Sequence, residues 1–261
     1  MSEGMRRIKS VDRTFEILRE VGAKDATTVS EVAEAVGLSP GTVHTHLSTL
    51  RANGFVQQDG KRYRLGPGLI PLSERMRSQT VLYRAGRTEV DKLAHEYDAV
   101  AHLVTEYEGK VVILHETFGE DAVGQRVHTR KRDQARDHMH CTAAGKSILA
   151  HLPRERVEEI IESEGLPAYT PHTVTDEAAL FDELERIRER RYAVNHEEVV
   201  HGNRGIGAPV LDEDDAVVGA ISISGPANNW CDERFEDELA EAVIRAANSA
   251  EINIHTETQS L

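Results

Sequence analysis

The chain has 261 residues, which is enough for two domains that each bury a hydrophobic core. Two cysteines exclude a disulfide framework and a zinc site built on paired cysteines, and the lack of a long apolar run or a secretory leader predicts a cytoplasmic protein without membrane spans. The formal net charge is −14, yet residues 1–65 hold ten basic and eight acidic side chains, so they carry +2 and the remainder carries −16. This asymmetry favours a first domain that tolerates phosphate groups and a second that does not attract them.

Two helices are predicted near the start of the chain. The first is indicated by apolar side chains at helical spacing before a glycine stop: Val11, Phe15, Ile17, Leu18 and Val21, then Gly22. Thr28 and Glu31 form the hydroxyl-x-x-Glu pattern of a capping box. This pattern predicts a second helix that ends at Gly37.

A third predicted helix has the features of a DNA-reading helix. Ser39 has the side chain of an N-cap, and the helix should run to about Asn53. Val43, Leu47 and Leu50 form one apolar stripe along it. The opposite face and its flanks carry small, hydroxyl and basic side chains: Gly41, Thr42, His44, Thr45, Ser48, Thr49, Arg51 and Ala52. Small residues let a helix enter the major groove, where threonine, histidine and arginine can contact base edges or phosphates.

A basic hairpin follows this helix. Two β-rich runs, 55–58 and 61–65, flank an Asp-Gly dipeptide, which is a strong hairpin signal. Lys61 and Arg62 at its tip are placed to contact the DNA backbone or the minor groove. The candidate DNA-contacting residues are Ser39, Gly41, Thr42, His44, Thr45, Ser48, Arg51, Lys61 and Arg62. The capped helices and the hairpin predict a winged helix-turn-helix, and the alternative is a three-helix protein-interaction module.

The rest of the chain predicts a linker helix and a second domain. A Gly-Pro-Gly run breaks the hairpin pattern, and we place the winged helix-turn-helix at 1–67, the linker helix at 68–85 and the second domain at 86–261. Strands are predicted near 100–107, 110–117, 123–129, 192–195, 204–211 and 216–224. Helices are predicted near 88–98, after Cys141, and near 154–163, 176–191 and 232–252. Clustered strands with helices gathered at their ends indicate an α+β fold.

Several segments resemble the IclR family of transcription regulators. They are Val11–Leu18, Glu31–Leu38, Thr42–His44, Tyr63–Gly66, His140–Lys146, Arg191–Val194 and Ile221–Pro226. The resemblance implies a winged helix-turn-helix, a linker helix and a GAF-like α/β effector-binding domain. It also implies a homodimer, able to pair further into a tetramer, that binds double-stranded DNA at a pseudo-palindromic operator and represses or activates a catabolic operon in response to a small-molecule effector. Only seven of the 31 basic residues are lysine, and this acidic, lysine-poor composition indicates a halophilic archaeon as the source.

The second domain also has the features of a small-molecule site. Small residues at 142–146 are predicted to begin a helix whose N-terminus can bind an anion. Ser222 and Ser224 share one face of a predicted strand, and residues 203–207 allow close approach of the backbone. These features suit a small carboxylate or a sugar acid. By resemblance to the family, the effector-binding residues are Ala143, Ala144, Asn195, Asn203, Gly205 and Ser222.

Two of these positions depart from the family pattern. Asn195 stands where an acidic residue is common, and Gly205 stands where a cysteine is common. We therefore expect a roomier and less acidic pocket, whose ligand need not be a known effector of the family.

A different interpretation concerns His138, His140 and Cys141. Cys141 lies near a predicted helix N-terminus, which would increase its thiolate character. The alternative is therefore a small-molecule-binding enzyme or a metal-binding sensor that uses His140 and Cys141, in which His138 and His140 would hold a metal with a distant histidine. The distant candidates are His172, His196 and His201. The His-Cys pair is part of the family motif and no third group is placed to orient it, so we predict no enzyme activity, no metal and no cofactor.

Overall fold

The structure is a computed structural model that describes residues 7–120, 122, 138–230 and 234–258. Its internal contacts divide the chain into two compact units, Met1–Arg77 and Ser78–Leu261. Each unit combines helices with an antiparallel sheet, so the predicted α+β class is confirmed. Among the described helices, none has both the length and the apolar character that a membrane span requires.

Within residues 9–65, the first unit contains three helices and a small sheet. Its elements are α1 (Lys9–Gly22), β1 (Thr27–Thr28), α2 (Val29–Val36), α3 (Pro40–Ala52), β2 (Val56–Asp59) and β3 (Arg62–Leu65). The predicted capping box of α2 is present, because the Thr28 hydroxyl accepts from the Glu31 amide and the Glu31 carboxylate accepts from the Thr28 amide. The predicted N-cap of α3 is also present, with the Thr42 amide donating to Ser39 Oγ at 3.2 Å. The starts of both helices are therefore set by residues three positions apart.

The sheet of the first unit contains one strand that the sequence did not predict. β1 pairs with β3, which gives the strand order β1-β3-β2. A two-residue strand is too short to leave an alternating pattern in the sequence. The core of the unit consists of Ile17, Val21, Val32, Ala33, Val43, Leu47, Leu50, Val56 and Tyr63. Helix α1 contributes Ile17 and Val21 to this core and leaves Val11 and Phe15 about half exposed.

The helical segment after the β2–β3 hairpin, which is the predicted wing, differs from the prediction. In place of one linker helix over 68–85, α4 (Leu69–Gln79) ends before Thr80 and α5 (Val81–Tyr97) begins after it. The sequence predicted a new helix beyond Gly86, but α5 continues through this glycine. Gly86 packs against the sheet, since a Cβ at this position would lie 2.8 Å from Cδ1 of Leu103. The glycine therefore serves close helix–sheet packing and does not end the helix.

The second unit is a five-stranded antiparallel sheet with helices on both faces. Its strands are β4 (Val100–Tyr107), β5 (Lys110–Phe118), β6 (Ala193–His196), β7 (Asn203–Leu211) and β8 (Val217–Pro226), in the order β5-β4-β8-β7-β6. Its further helices are α6 (Ala143–Leu149), α7 (Arg154–Glu164), α8 (Glu177–Arg190) and α9 (Leu239–Thr258), and a π-helical turn at Arg234–Glu238 precedes α9. The predicted strand near 123–129 lies outside the described residues, and the other five predicted strands are present.

Successive strand residues face opposite sides of this sheet. Leu103 and Ile221 join α5 and α9 in the larger core. Val104 and Ala220, which point to the other side, join α6, α7 and α8 in a second core. The predicted effector-binding residues lie on the same side as the second core.

Candidate functional site

The exposed side of α3 carries most of the candidate DNA-contacting residues. Val43, Leu47 and Leu50 are buried in the core of the first unit. On the other side, Ser39, Gly41, His44, Thr45 and Arg51 are exposed, and Thr42 and Ser48 are half-buried. The Thr45 hydroxyl donates to the Gly41 carbonyl at 3.0 Å, which leaves the acceptor lone pairs of the hydroxyl for a partner. This small, polar surface suits a helix that enters a major groove.

Hydrogen bonds connect the wing with the end of α3. Arg51 Nη1 donates to Oε1 of Gln58 on β2, and Gln58 Nε2 donates to the Gly60 carbonyl at 2.9 Å. Arg62 Nη1 donates to the Ala26 carbonyl at 3.2 Å, which holds this side chain towards the body of the unit, while Lys61 is exposed at the turn. Gln58 was not predicted from the sequence, because a polar residue in a strand carries no local signal of its partners in other elements.

The first unit also exposes several large apolar side chains. Of the nine exposed large apolar side chains in the described part of the chain, seven lie in this unit: Ile8, Val11, Phe15, Leu65, Ile70, Leu72 and Met76. Helix α4 buries none of its side chains. A small unit that exposes this much apolar surface has the property of a protein-interaction site.

The predicted effector-binding residues of the second unit form neighbouring rows on one face of its sheet. In the first row, Gly205 on β7 lies opposite Asn195 on β6 and opposite Ser224 on β8. Residues directly opposite one another in antiparallel strands point to the same face. Asn195 is buried and its Oδ1 accepts from the Glu198 amide at 2.8 Å, whereas the buried Ser224 Oγ has no hydrogen-bond partner among the described residues. Such an unsatisfied buried hydroxyl marks a position for a ligand or water hydrogen bond.

The second row lies under the start of α6. Gly207 lies opposite Ser222, and a Cβ on Gly207 would lie 3.3 Å from the carbonyl carbon of Ala143. The Ser147 hydroxyl donates to the Gly207 carbonyl at 2.9 Å and holds α6 over this row. Ala143, Asn195, Gly205 and Ser222 are thus brought together. Of the remaining predicted residues, Ala144 packs in the second core, and Asn203 Nδ2 donates to the Gly225 carbonyl at 3.1 Å at the end of the strand.

The anion site predicted at the N-terminus of α6 is largely filled by the chain itself. Helix α6 has seven residues, and Thr142 Oγ1 accepts from the Gly145 amide at 3.0 Å. The Lys146 amide donates to the Thr142 carbonyl at 2.9 Å. A Cβ on Gly145 would overlap the carbonyl oxygen of Met139, so packing requires this glycine. The polar groups of the site therefore come mainly from the sheet.

A buried ion pair that the sequence analysis missed lies beside this face. Lys146 Nζ and Glu198 Oε1 are 2.7 Å apart, and their side chains are only 3% and 6% exposed. Burial raises the pKa of the Glu198 carboxyl, and the nearby Lys146 ammonium opposes this effect. The Glu198 carbonyl accepts from Thr173 Oγ1 at 2.6 Å. The pair thus ties α6 to the segment between β6 and β7, across a separation of 52 residues that no sequence pattern reveals.

The histidines and the cysteine before α6 are not arranged for catalysis in the described structure. Burial raises the pKa of the Cys141 thiol to about 12, so the prediction of increased thiolate character was wrong. Burial lowers the pKa of His140 to about 4, and its Nε2 donates to the Pro167 carbonyl at 3.1 Å. His138 pairs with the Tyr169 hydroxyl. Within the described residues, no group of three His, Cys, Asp or Glu side chains is placed to hold a metal ion.

Models of known protein families match both units. One family model, the IclR helix-turn-helix domain, matches residues 10–60. A second, the bacterial transcriptional regulator IclR C-terminal domain, matches residues 76–251, which is more than half of the chain. The chain belongs to the IclR family. The resemblance inferred from the sequence is thereby confirmed.

Relatives of this IclR-family protein match nearly its whole length. The probable HTH-type transcriptional regulator ArcR of Halobacterium salinarum is 38% identical, over 96% of this chain and 95% of the relative. The crystal structure of Thermotoga maritima IclR superposes with a TM-score of 0.71 at 26% identity, covering 95% of this chain and 99% of that one. An IclR homologue from Microbacterium hydrocarbonoxydans, solved with 4-hydroxybenzoate, shares the fold with a TM-score of 0.79 at 22% identity, over 95% and 99% of the two chains.

This IclR-family protein is therefore a DNA-binding transcription regulator with an N-terminal helix-turn-helix domain and a C-terminal effector-binding domain. Both families and the relatives described above are transcription regulators and not enzymes, so the alternative based on His140 and Cys141 is not favoured. The Halobacterium relative agrees with the halophilic character of the acidic, lysine-poor composition.

Proposed function

We propose that this regulator binds a pseudo-palindromic operator as a cytoplasmic homodimer, able to pair into a tetramer, and senses a small carboxylate or a sugar acid. The observation that carries the proposal is that one unit combines an exposed polar face of α3 with an exposed apolar surface. Two copies joined through the apolar surface would present two α3 helices to one face of the duplex. A two-fold operator requires this arrangement.

Replacing Thr45 or Arg51 with alanine is expected to weaken operator binding by about 1–3 kcal/mol, because each side chain faces outward and is proposed to contact a base. The operator would first be located by DNase footprinting upstream of the gene itself and of neighbouring genes, in concentrated KCl. Titration of the protected sequence and of random DNA then gives the two affinities. The same proposal covers the remaining predicted contacts: Ser39, Gly41, Thr42, His44, Ser48, Lys61 and Arg62.

Glu34→Gln serves as the control for these variants, since Glu34 is an exposed residue of α2 on no predicted contact face. Thr45 and Arg51 variants that bind operator and random DNA as the wild type does would show that another face of the unit reads DNA. The absence of a protected palindrome at every salt concentration would overturn the proposal as a whole.

Replacing Phe15 or Leu72 with glutamate is expected to convert the dimer to a monomer. Phe15 on α1 is 53% exposed and Leu72 on α4 is 56% exposed, so neither contributes to the core of a single copy. Burying such a side chain at an interface gains about 1.5–3 kcal/mol, and two symmetry-related charges add a further cost, so the dimer dissociation constant should rise about a hundredfold or more. Light scattering after size exclusion measures the change. Ile252→Glu in the second unit is the control and should leave the dimer intact. A dimer that persists in both the Phe15 and the Leu72 variants would contradict the proposed interface.

The proposed effector site is the face of the sheet that holds Asn195, Gly205, Ser222 and Ser224, beneath Ala143. Buried hydroxyl and amide groups without a bulky side chain at Gly205 leave hydrogen-bonding capacity for a small polar ligand. The homologue solved with 4-hydroxybenzoate supports a carboxylate as the class of ligand.

A further inference from the structure

A histidine and a glutamate that the sequence analysis did not single out extend the polar face of the sheet. His102 on β4 lies opposite Ser222 on β8, and on its other side it lies opposite Glu116 on β5. Residues paired in this way point to the same face of an antiparallel sheet. Glu116, His102, Ser222 and Gly207 therefore form one continuous row across four strands.

Burial makes this pair distinctive. His102 is only 9% exposed, and the side chains of His102 and Glu116 are 11% and 18% exposed. His102 Nε2 lies 3.1 Å from Glu116 Oε1, so the carboxylate orients the imidazole ring. Placing a carboxylate and an imidazole in a largely buried position costs free energy unless they gain hydrogen bonds. A histidine that only packed against the sheet would not need an acidic partner there.

The neighbouring row gives a separate indication that a polar molecule binds here. Ser224 Oγ, one row away from His102, is buried and has no hydrogen-bond partner among the described residues. Adjacent strands lie about 4.8 Å apart, so the serine hydroxyls and the His102 ring are within reach of one small ligand. Glu116 also places a carboxylate on the same face of the sheet as Asn195.

We propose that His102 and Glu116 form the hydroxyl-recognising end of the effector site, so that this regulator selects a hydroxylated carboxylic acid over an unsubstituted one. The inference rests on the proposed effector site. A carboxylate accepts hydrogen bonds and repels other anions, so Glu116 suits a hydroxyl group of the ligand rather than its carboxylate. The orienting bond to Glu116 leaves His102 Nδ1 as the ring atom for the ligand. A site built to hydrogen-bond a hydroxyl group discriminates strongly against the analogue that lacks it, because its buried polar groups then stay unpaired.

The test compares two probes of similar length, gluconate and hexanoate, by thermal shift and by isothermal titration calorimetry with the full chain in concentrated KCl. A ligand that binds the folded state raises the unfolding temperature by mass action. We expect gluconate to bind the wild type more tightly than hexanoate. His102→Gln and Glu116→Gln should each weaken the binding of gluconate about tenfold or more, because each variant loses a hydrogen bond to a charged or buried group. The affinity for hexanoate should stay unchanged.

His115→Gln is the matched control, because His115 lies on the same strand as Glu116 but is paired with Asp91, 2.7 Å away. It lies opposite Leu103 and so faces the other side of the sheet. It should change neither affinity. If the His102 and Glu116 variants weaken both probes equally, or weaken neither, the inference is wrong. The isosteric Glu116→Gln variant keeps the test decisive should the His102 variant unfold.

The result with the wild type separates this inference from the proposed function. If hexanoate binds and gluconate does not, a carboxylate-sensing site stands and selection of hydroxyl groups is refuted. If neither probe binds, both the proposed class of effector and the inference are refuted.

Discussion

Replacing Lys146 with methionine is expected to lower the free energy of unfolding of the second unit by about 3–5 kcal/mol, because the change leaves the Glu198 carboxylate buried and unpaired. In the native chain the two charged groups are 2.7 Å apart and almost fully buried. Glu198 Oε2 already has no hydrogen-bond partner among the described residues, so its other oxygen depends on Lys146. Thermal unfolding followed by the fluorescence of Trp230, the sole tryptophan, should show a midpoint lowered by on the order of 10 °C.

Two further variants distinguish loss of the charge pair from loss of packing. The double variant Lys146→Met with Glu198→Leu buries no charge, so it should recover most of the stability. Lys92→Met removes a lysine whose side chain is 63% exposed and is bonded to Glu89, and surface pairs contribute about 0–1 kcal/mol. Because burial raises the pKa of the Glu198 carboxyl, lowering the pH should also restore part of the stability of the single variant by protonating this group. A Lys146→Met protein that unfolds no earlier than Lys92→Met would refute the assigned role.

Replacing Leu47 with alanine is expected to destabilise the first unit by about 2–5 kcal/mol, because the change opens a cavity beneath α3. Leu47 is fully buried and belongs to the stripe with Val43 and Leu50 that anchors this helix. Hydrogen exchange measured by mass spectrometry on peptides from α1, α2 and α3 reports this unit directly. We expect faster exchange there and weaker operator binding.

Trp230 fluorescence supplies an internal control for the same variant, since this side chain is buried in the core of the second unit. Its unfolding transition should stay near that of the wild type when Leu47 is replaced. Thr49→Ala, an exposed position on α3, should change stability by no more than about 0.5 kcal/mol. Unchanged exchange in α1–α3 of the Leu47 variant would mean that the core of the first unit is not organised around α3.

Much of the first unit was predictable because its signals are local. The capping box joins Thr28 and Glu31, and the N-cap of α3 joins Ser39 and Thr42, so each involves residues three positions apart. The Asp-Gly turn likewise acts between adjacent residues and produced the predicted hairpin. In the second unit, the alternation of side chains along β8 likewise predicted from local sequence that Ser222 and Ser224 share one face.

Other features depended on contacts between distant parts of the chain. The bond between Lys146 and Glu198 spans 52 residues, and nothing beside either residue in the sequence predicts it. Gly86 has the local character of a helix stop, but its contact with Leu103 keeps it inside α5. Cys141 lies near a helix start, yet burial outweighs that position and raises the pKa of its thiol.

By itself, the amino-acid sequence determined most of the elements, the caps of α2 and α3, the polar face of α3 and the membership of the IclR family. These depend on neighbouring side chains and on periodicity, which can be read along the chain. Only the tertiary structure decided which polar groups are buried together, including the ion pair of Lys146 with Glu198 and the row of Glu116, His102 and Ser222. Burial and strand register bring together residues far apart in the chain, and they set the free energy of the charges on the proposed effector-binding face.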